Sequence, residues 1–230
     1  MSIYLKNAVS VFLIPLILAF LLSFSYIISL LFKNRVETFF LFSGFLFYLF
    51  LHFKTNFKAS RIYIISHELS HAFMGMLKGN KINRIKIKKN SGYVSFRYKT
   101  DFLTTIAPYI LPFYALLLIV LYFSLSFITD ISKYRLIFIT LEGFFIAFHI
   151  VNTAYVMSSS LQSDFKKTRA IFFSYTVVFL SNIIFIVILL KLLFPQELSI
   201  FIFLKKSFFN FKIIINKAGY FLGYLLQYAK

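Results

Sequence analysis

One short segment of the sequence combines two histidines and a glutamate at a spacing suited to metal chemistry. The pentapeptide His67-Glu68-Leu69-Ser70-His71 lies inside an apolar run, where ionisable side chains are costly and usually functional. Residues four apart lie on one face of a helix, so His67 and His71 can place two imidazole nitrogens on one zinc ion. Glu68 would lie beside the metal, where it can accept a proton from a water that zinc has acidified.

The alternative interpretation is a chance match, or polar side chains that satisfy one another between packed helices. With four His and four Glu in 230 residues, chance alone rarely produces this spacing. The pattern therefore predicts a zinc site with Glu68 as its catalytic base. The sequence contains no cysteine, so any further zinc ligand must be His, Asp or Glu.

The composition indicates the environment in which this site must be built. Hydrophobic residues make up 60% of the chain and the mean hydropathy is +0.83, which is more apolar surface than a soluble domain of this size can bury. The chain has room for about six crossings of roughly 20 residues each. The sequence predicts an all-α polytopic membrane protein with about six transmembrane helices and a small membrane-associated β-hairpin.

Six apolar segments follow one another along the chain, and the third carries the metal motif. They are residues 7–32, 38–53, 61–77, 102–128, 136–160 and 171–194. The fourth contains Pro108 and Pro112, each of which removes a helix hydrogen bond. We expect a broken turn there that faces the site, because irregular backbone at membrane depth must be covered by protein or line a cavity. A simple packing kink is the alternative.

Between the third and fourth spans the hydrophobic period changes to two. Residues 84–88 and 93–99 flank Asn90-Ser91-Gly92, a pattern that predicts a β-hairpin. Its second strand, with Tyr93, Val94, Ser95 and Phe96, is either a lipid-attracted surface loop or an edge strand that pairs with an extended substrate. Residues 198–230 form a basic tail that predicts an interfacial amphipathic helix, with a further crossing as the alternative.

The formal charge of +18 admits two kinds of anionic partner. The basic residues lie in short loops between apolar runs, so we expect anionic lipid headgroups and no nucleic acid. Loops on the hairpin side carry more Lys and Arg than loops on the other side before the tail, which predicts that the hairpin side is cytoplasmic.

A catalytic zinc site needs a third protein ligand. The remaining candidates are Asp101, Asp130, Asp164, Glu142, His52 and His149. Asp164 ends a polar stretch after the fifth span on the hairpin side, where it can fold back toward the metal. The alternative is a solvated carboxylate paired with Lys166 or Lys167. His149 and Asn152 share one face of the fifth helix and either orient a ligand, hold substrate or an oxyanion, or form an interhelical hydrogen bond.

The motif at His67, followed by Lys78-Gly79-Asn80 and by Ser91-Gly92-Tyr93-Val94 of the hairpin, resembles the site-2 protease family of intramembrane zinc metalloproteases. The resemblance covers residues 62–164. It implies that His67 and His71 are zinc ligands and Glu68 the base, and that Asn152 and Asp164 match the family's later Asn and Asp ligand by order. The chain has Gln162-Ser163-Asp164-Phe165 where the family typically has Leu-Asp-Gly.

The resulting hypothesis is a zinc-dependent intramembrane endopeptidase that cuts membrane-spanning or membrane-adjacent segments of a membrane protein substrate. Residues 1–197 would form the integral membrane protease domain, with its core at 60–170, followed by the tail at 198–230. We expect a multi-pass protein of a bacterial cytoplasmic membrane with the site nearer the cytoplasmic face. The alternatives are a membrane zinc protease of another family that uses Glu142, and a metal-binding scaffold or transporter that cleaves nothing.

Overall fold

The computed structural model describes residues 2–54, 61–89, 91–158 and 163–228. This part of the chain contains nine α-helices and one two-stranded sheet. The elements are α1 (Ile3–Lys33), α2 (Arg35–Lys54), α3 (Arg61–Leu77), β1 (Ile82–Ile87), β2 (Gly92–Phe96), α4 (Phe102–Ile110), α5 (Phe113–Ser126), α6 (Arg135–Ser158), α7 (Ser163–Thr168), α8 (Ile171–Leu193) and α9 (Ile200–Tyr228). The predicted helical fold with a small hairpin is confirmed in this form.

Within the described residues, four helices are long and apolar enough to cross a membrane. They are α1, α2, α8 and α6 together with the 3-10 turn that precedes it. The bent pair of α4 and α5 raises the number to five if it forms one span. The predicted count of six is therefore not confirmed. The difference lies in α3, whose 17 residues fall below the roughly 20 that a straight crossing needs.

The break in the fourth predicted span lies where the two prolines indicate. α4 ends at Ile110 and α5 begins at Phe113, and their axes differ by 74°. Pro112 has no N–H to donate, so the α-helical ladder cannot run through it. Residues 104–112 are all buried, so protein covers the irregular backbone as the membrane environment requires.

The hairpin folds back over α3. β1 and β2 are antiparallel, with Ile85 opposite Val94, and β2 ends at Phe96, earlier than the predicted strand over 93–99. The Phe96 ring lies against Gly75 of α3, where any Cβ would collide with it. Asn90 of the predicted turn lies outside the described residues, as do residues 159–162 before α7.

A hydrophobic core holds α4, α7 and α8 together next to α3. Buried Ile106, Tyr109 and Ile110 of α4 pack with Phe165 of α7 and Val178 of α8. The Tyr109 and Phe165 rings are stacked with their centroids 4.6 Å apart. Because α7 has only six residues, this packing sets the position of the residue that precedes Phe165.

The predicted tail is one long helix, α9, whose first half packs on α1. The buried ring of Phe203 lies between Phe20 and Phe24, at centroid distances of 5.6 and 6.0 Å. Further along, Asn210 donates a hydrogen bond to Ser23 Oγ at 3.0 Å. Four lysines of α9 are exposed: Lys205, Lys206, Lys212 and Lys217. Whether this helix lies in the membrane interface stays a prediction.

Candidate metal centre

Three side chains from α3 and α7 converge on one point. Asp164 Oδ2 lies 3.2 Å from His67 Nε2 and 3.4 Å from His71 Nε2. His67 and His71 are on adjacent turns of α3, and their ring centroids are 4.9 Å apart. Across the described ranges, this is the one cluster of three metal-ligating side chains with its ligand atoms within 4.8 Å of one another.

The spacing of these atoms fits a tetrahedral zinc ion. Ligand atoms about 2.0–2.1 Å from zinc and at tetrahedral angles lie about 3.4 Å from each other. Both nitrogen–oxygen separations at Asp164 are close to this value. The three residues could therefore hold zinc and leave a fourth position open, as catalytic zinc sites do.

The hydrogen bonding of His71 gives a second test of fit. Its Nδ1 lies 2.7 Å from the carbonyl oxygen of Thr104, and its Nε2 faces the Asp164 carboxylate. A neutral imidazole has one N–H and cannot donate to oxygen atoms on both sides. With Nδ1–H given to Thr104, the lone pair of Nε2 faces the Asp164 carboxylate and is available to a metal ion.

Asp164 is 6% exposed, and both of its oxygen atoms have partners. Tyr109 donates a hydrogen bond to Oδ2 at 3.2 Å, and Lys167 Nζ donates to Oδ1 at 3.1 Å. Burial alone would raise the pKa of Asp164, but the hydrogen bonds and charges of His67 and His71 outweigh it and hold the pKa well below its usual range. The carboxylate is thus held ionised. The contacts with Lys167 and with the histidines are both present, but the burial of Asp164 contradicts the alternative of a solvated carboxylate.

Glu68 lies beside this group in the wall of a cavity of about 310 Å³. Gly92 of β2 lies against it: a Cβ there would be 2.5 Å from Glu68 Cγ and 2.9 Å from Oε1. Only glycine fits this close approach of strand and side chain. The lining residues are His67, Glu68, His71, Ser91, Gly92, Tyr93, Val94, Phe96, Thr100, Thr105, Ser163, Asp164 and Lys167.

The predicted substrate strand lies at this cavity. Tyr93, Val94 and Phe96 line it. Ser95 does not, and its hydroxyl donates to the Arg84 carbonyl at 3.4 Å across the hairpin. β1 occupies one edge of β2, so in the described residues the other edge has no strand partner. Pairing with a substrate strand remains a prediction.

The other predicted site residues are not brought to the metal group. Asn152 donates hydrogen bonds to the Tyr48 hydroxyl and to its own helix, both at 2.7 Å. His149 borders a separate cavity of about 10 Å³ beside Asn182. Glu142 is fully buried in α6, and neither carboxyl oxygen has a hydrogen-bond partner among the described residues. None of the three lines the cavity at Glu68.

Tyr109 lies in the segment 107–112 that was expected to face the site, but its contact with Asp164 and the contact of the Thr104 carbonyl with His71 were not predicted from the sequence. Both residues belong to α4, far along the chain from α3, so their contacts depend on tertiary packing. One signal existed for Thr104: Pro108 stands four residues later, where it cannot donate the helical hydrogen bond to the Thr104 carbonyl.

An apolar helical protein with two histidines and an aspartate clustered beside a cavity carboxylate is a multi-pass membrane protein with a candidate metal site. Residues 57–161, just under half of the chain, match the family model described as Peptidase M50B-like. This is the site-2 protease family of intramembrane metalloproteases, so the predicted resemblance is confirmed, and the match supports a membrane metalloprotease in general. No curated protein and no solved structure matches the chain.

Proposed function

We propose that the protein is a zinc-dependent endopeptidase that cuts membrane-spanning or membrane-adjacent protein segments. The observation that carries the proposal is the position of Asp164 Oδ2 between His67 Nε2 and His71 Nε2, at 3.2 and 3.4 Å. Asp164 lies beyond the matched residues 57–161. The position of Asp164 next to the two histidines therefore supports this set of three ligands independently of the family match.

His67, His71 and Asp164 would hold the zinc ion. When bound, zinc supplies a Lewis acid that polarises the scissile carbonyl and lowers the pKa of water to about 7. Glu68 follows His67 directly and lines the same cavity. It would accept the proton of the attacking water and pass it to the leaving amine.

Substrate binding would use the hairpin. A peptide bond in a helix is engaged in the helix's own hydrogen bonds, so a membrane-spanning substrate must unwind before it is cut. β2 offers main-chain groups along its open edge, and Tyr93 and Val94 face the cavity. Pairing with this edge would hold an extended substrate segment next to Glu68.

The membrane setting supports a membrane protein as substrate. Four or five described helices are candidate crossings, and the exposed side chains of α1 and α2 are largely apolar. We propose further that anionic lipids contact the basic loops and that the cavity lies nearer the cytoplasmic face of a bacterial membrane. The alternative with Glu142 as the third ligand has no support, because Glu142 lies away from the cavity at Glu68.

The substrate class can be tested with the purified protein in liposomes. A panel of single-span membrane proteins and a water-soluble peptide carrying the same apolar sequence would be incubated with zinc-loaded wild type. Mass spectrometry of the products would locate each cut. We expect cuts within or next to the spans, abolished by a zinc chelator and restored by added zinc. Cleavage of the soluble peptide alone would contradict the membrane substrate.

A further inference from the structure

Pro108 stands inside α4, three residues before the break that separates α4 from α5. In an α-helix the carbonyl of residue i accepts a hydrogen bond from the N–H of residue i+4. Proline has no N–H, so the carbonyl of Thr104 loses the donor that any other residue at position 108 would supply. Thr104 is 2% exposed, so water is a poor substitute, and a buried carbonyl without a partner is destabilising.

The partner of this carbonyl is His71. Nδ1 of His71 lies 2.7 Å from the Thr104 oxygen, a short distance for a nitrogen–oxygen hydrogen bond. A metal-binding histidine commonly donates its second ring N–H to a backbone carbonyl, and that bond fixes both the tautomer and the ring orientation. Here the bond fixes the proton at Nδ1 and directs Nε2 toward Asp164, 3.4 Å away.

We propose that Pro108 is a positioning residue for the metal site: by lacking an N–H it leaves the Thr104 carbonyl open to His71 and so presents Nε2 of His71 to the metal. The inference rests on the proposed function in one respect, that His71 is a metal ligand. An alanine at position 108 would supply a helical N–H that competes with His71 for the carbonyl. The ring would then lose its fixed tautomer and orientation.

The same helix break contains a matched control. Pro112 also lacks an N–H and also lies next to the bend, and the carbonyl four residues before it belongs to Pro108 itself. No hydrogen bond to a candidate metal ligand is made by that carbonyl in the described part of the chain. Pro112→Ala therefore disturbs the break in a similar way without offering a donor to Thr104.

The test is metal affinity, measured on the full chain in detergent by competition between the protein and a chelator for zinc. We expect Pro108→Ala to weaken zinc binding by about 10- to 100-fold, the effect typical of losing such a supporting bond, and Pro112→Ala to stay within about threefold of wild type. Equal affinity of Pro108→Ala and wild type, or equal losses in both variants, would overturn the proposal. Absence of zinc binding by the wild type would instead contradict the proposed function.

A second measurement needs no variant and applies even if Pro108→Ala fails to fold. In zinc-loaded wild type labelled with ¹⁵N-histidine, the ring nitrogens of His71 report which one binds metal and which carries a proton. His71 signals are assigned by their loss in His71→Gln. We expect a slowly exchanging Nδ1–H and metal-bound Nε2. Binding through Nδ1, or an Nδ1–H that exchanges as fast as in a free imidazole, would overturn the role assigned to Pro108.

Discussion

Gly92 of the hairpin and Glu68 of α3 are in such close contact that a Cβ on Gly92 would lie 2.5 Å from Glu68 Cγ. The strand that is proposed to receive substrate is therefore also the wall that holds the proposed base. The distance leaves no room for a methyl group, so an alanine at position 92 must displace either the strand or the carboxylate.

Gly92→Ala should lower peptide hydrolysis by at least about tenfold, because Glu68 loses its position relative to the attacking water. Zinc content should remain near one per chain, since the atoms nearest to a Cβ at position 92 belong to Glu68 and Ile64 and not to the proposed ligands. Gly219→Ala in α9 is the control, because a Cβ there meets nothing within 4 Å. Unchanged turnover in Gly92→Ala would show that the contact with Glu68 does not matter for activity.

Asp164→Ala should lose zinc under dialysis conditions in which the wild type retains it. The substitution removes one of three proposed ligands and the oxygen that lies between the two histidines. Glu142→Gln should retain zinc, because Glu142 is buried in α6 away from the cavity. Elemental analysis of both variants measures this directly. If Glu142→Gln lost zinc while Asp164→Ala retained it, Glu142 and not Asp164 would be the third ligand.

Lys167→Met should weaken zinc binding and slow hydrolysis by several-fold. Lys167 Nζ holds Asp164 Oδ1 at 3.1 Å, and residues that orient a metal ligand commonly contribute about 10- to 100-fold to affinity. Because Lys167 is largely exposed, we expect an effect smaller than that range. Lys166→Met is the matched control on the same helix, since Lys166 is exposed and does not line the cavity. If both variants bind zinc alike, Lys167 has no such role.

Asp101, which lies outside the metal site, makes the stability of the folded chain depend on pH. Partial burial would raise its pKa, but hydrogen bonds from Thr104 and the Lys78 ammonium at 3.1 Å hold the pKa below its usual value. The unfolded chain therefore binds a proton at Asp101 more readily than the folded chain. The stabilisation is complete above about pH 5 and is lost as the pH falls through the lowered value.

The measurement compares thermal unfolding of metal-free wild type and Asp101→Asn in detergent between pH 3 and pH 7. Asparagine also caps helices, so the variant isolates the charge. The difference in unfolding temperature should be largest near neutral pH and should shrink toward pH 3. A difference that is constant across this range would contradict the assigned pKa direction.

The sequence predicted those parts of the site that depend on short spacing. His67, Glu68 and His71 are on one helix, so a period of four residues is enough to place them. The hairpin and the break at Pro108 and Pro112 also follow from local patterns, period-two alternation and missing N–H groups. These features appear in the structure where they were expected.

Contacts between segments that are distant in the sequence could not be predicted from such local patterns. Tyr109 meets Asp164 only because α4 and α7 share a core in which Tyr109 and Phe165 stack. For His149 and Asn152, helical spacing predicts that the two side chains share one face of a helix. It does not predict which other helix packs against that face. Asn152 turns to Tyr48 of α2, and the close packing of α2 on α6 depends on Gly44 and Gly143.

The most direct test of the proposed function compares wild type with Glu68→Gln on one membrane-spanning substrate. Both proteins would be loaded with zinc and their zinc content determined before the assay. The variant keeps the shape of the side chain and the three proposed ligands but cannot accept a proton. We predict equal zinc content, cleavage by the wild type, and loss of at least about a hundredfold in rate in Glu68→Gln. Equal cleavage by the two zinc-loaded proteins would contradict the account.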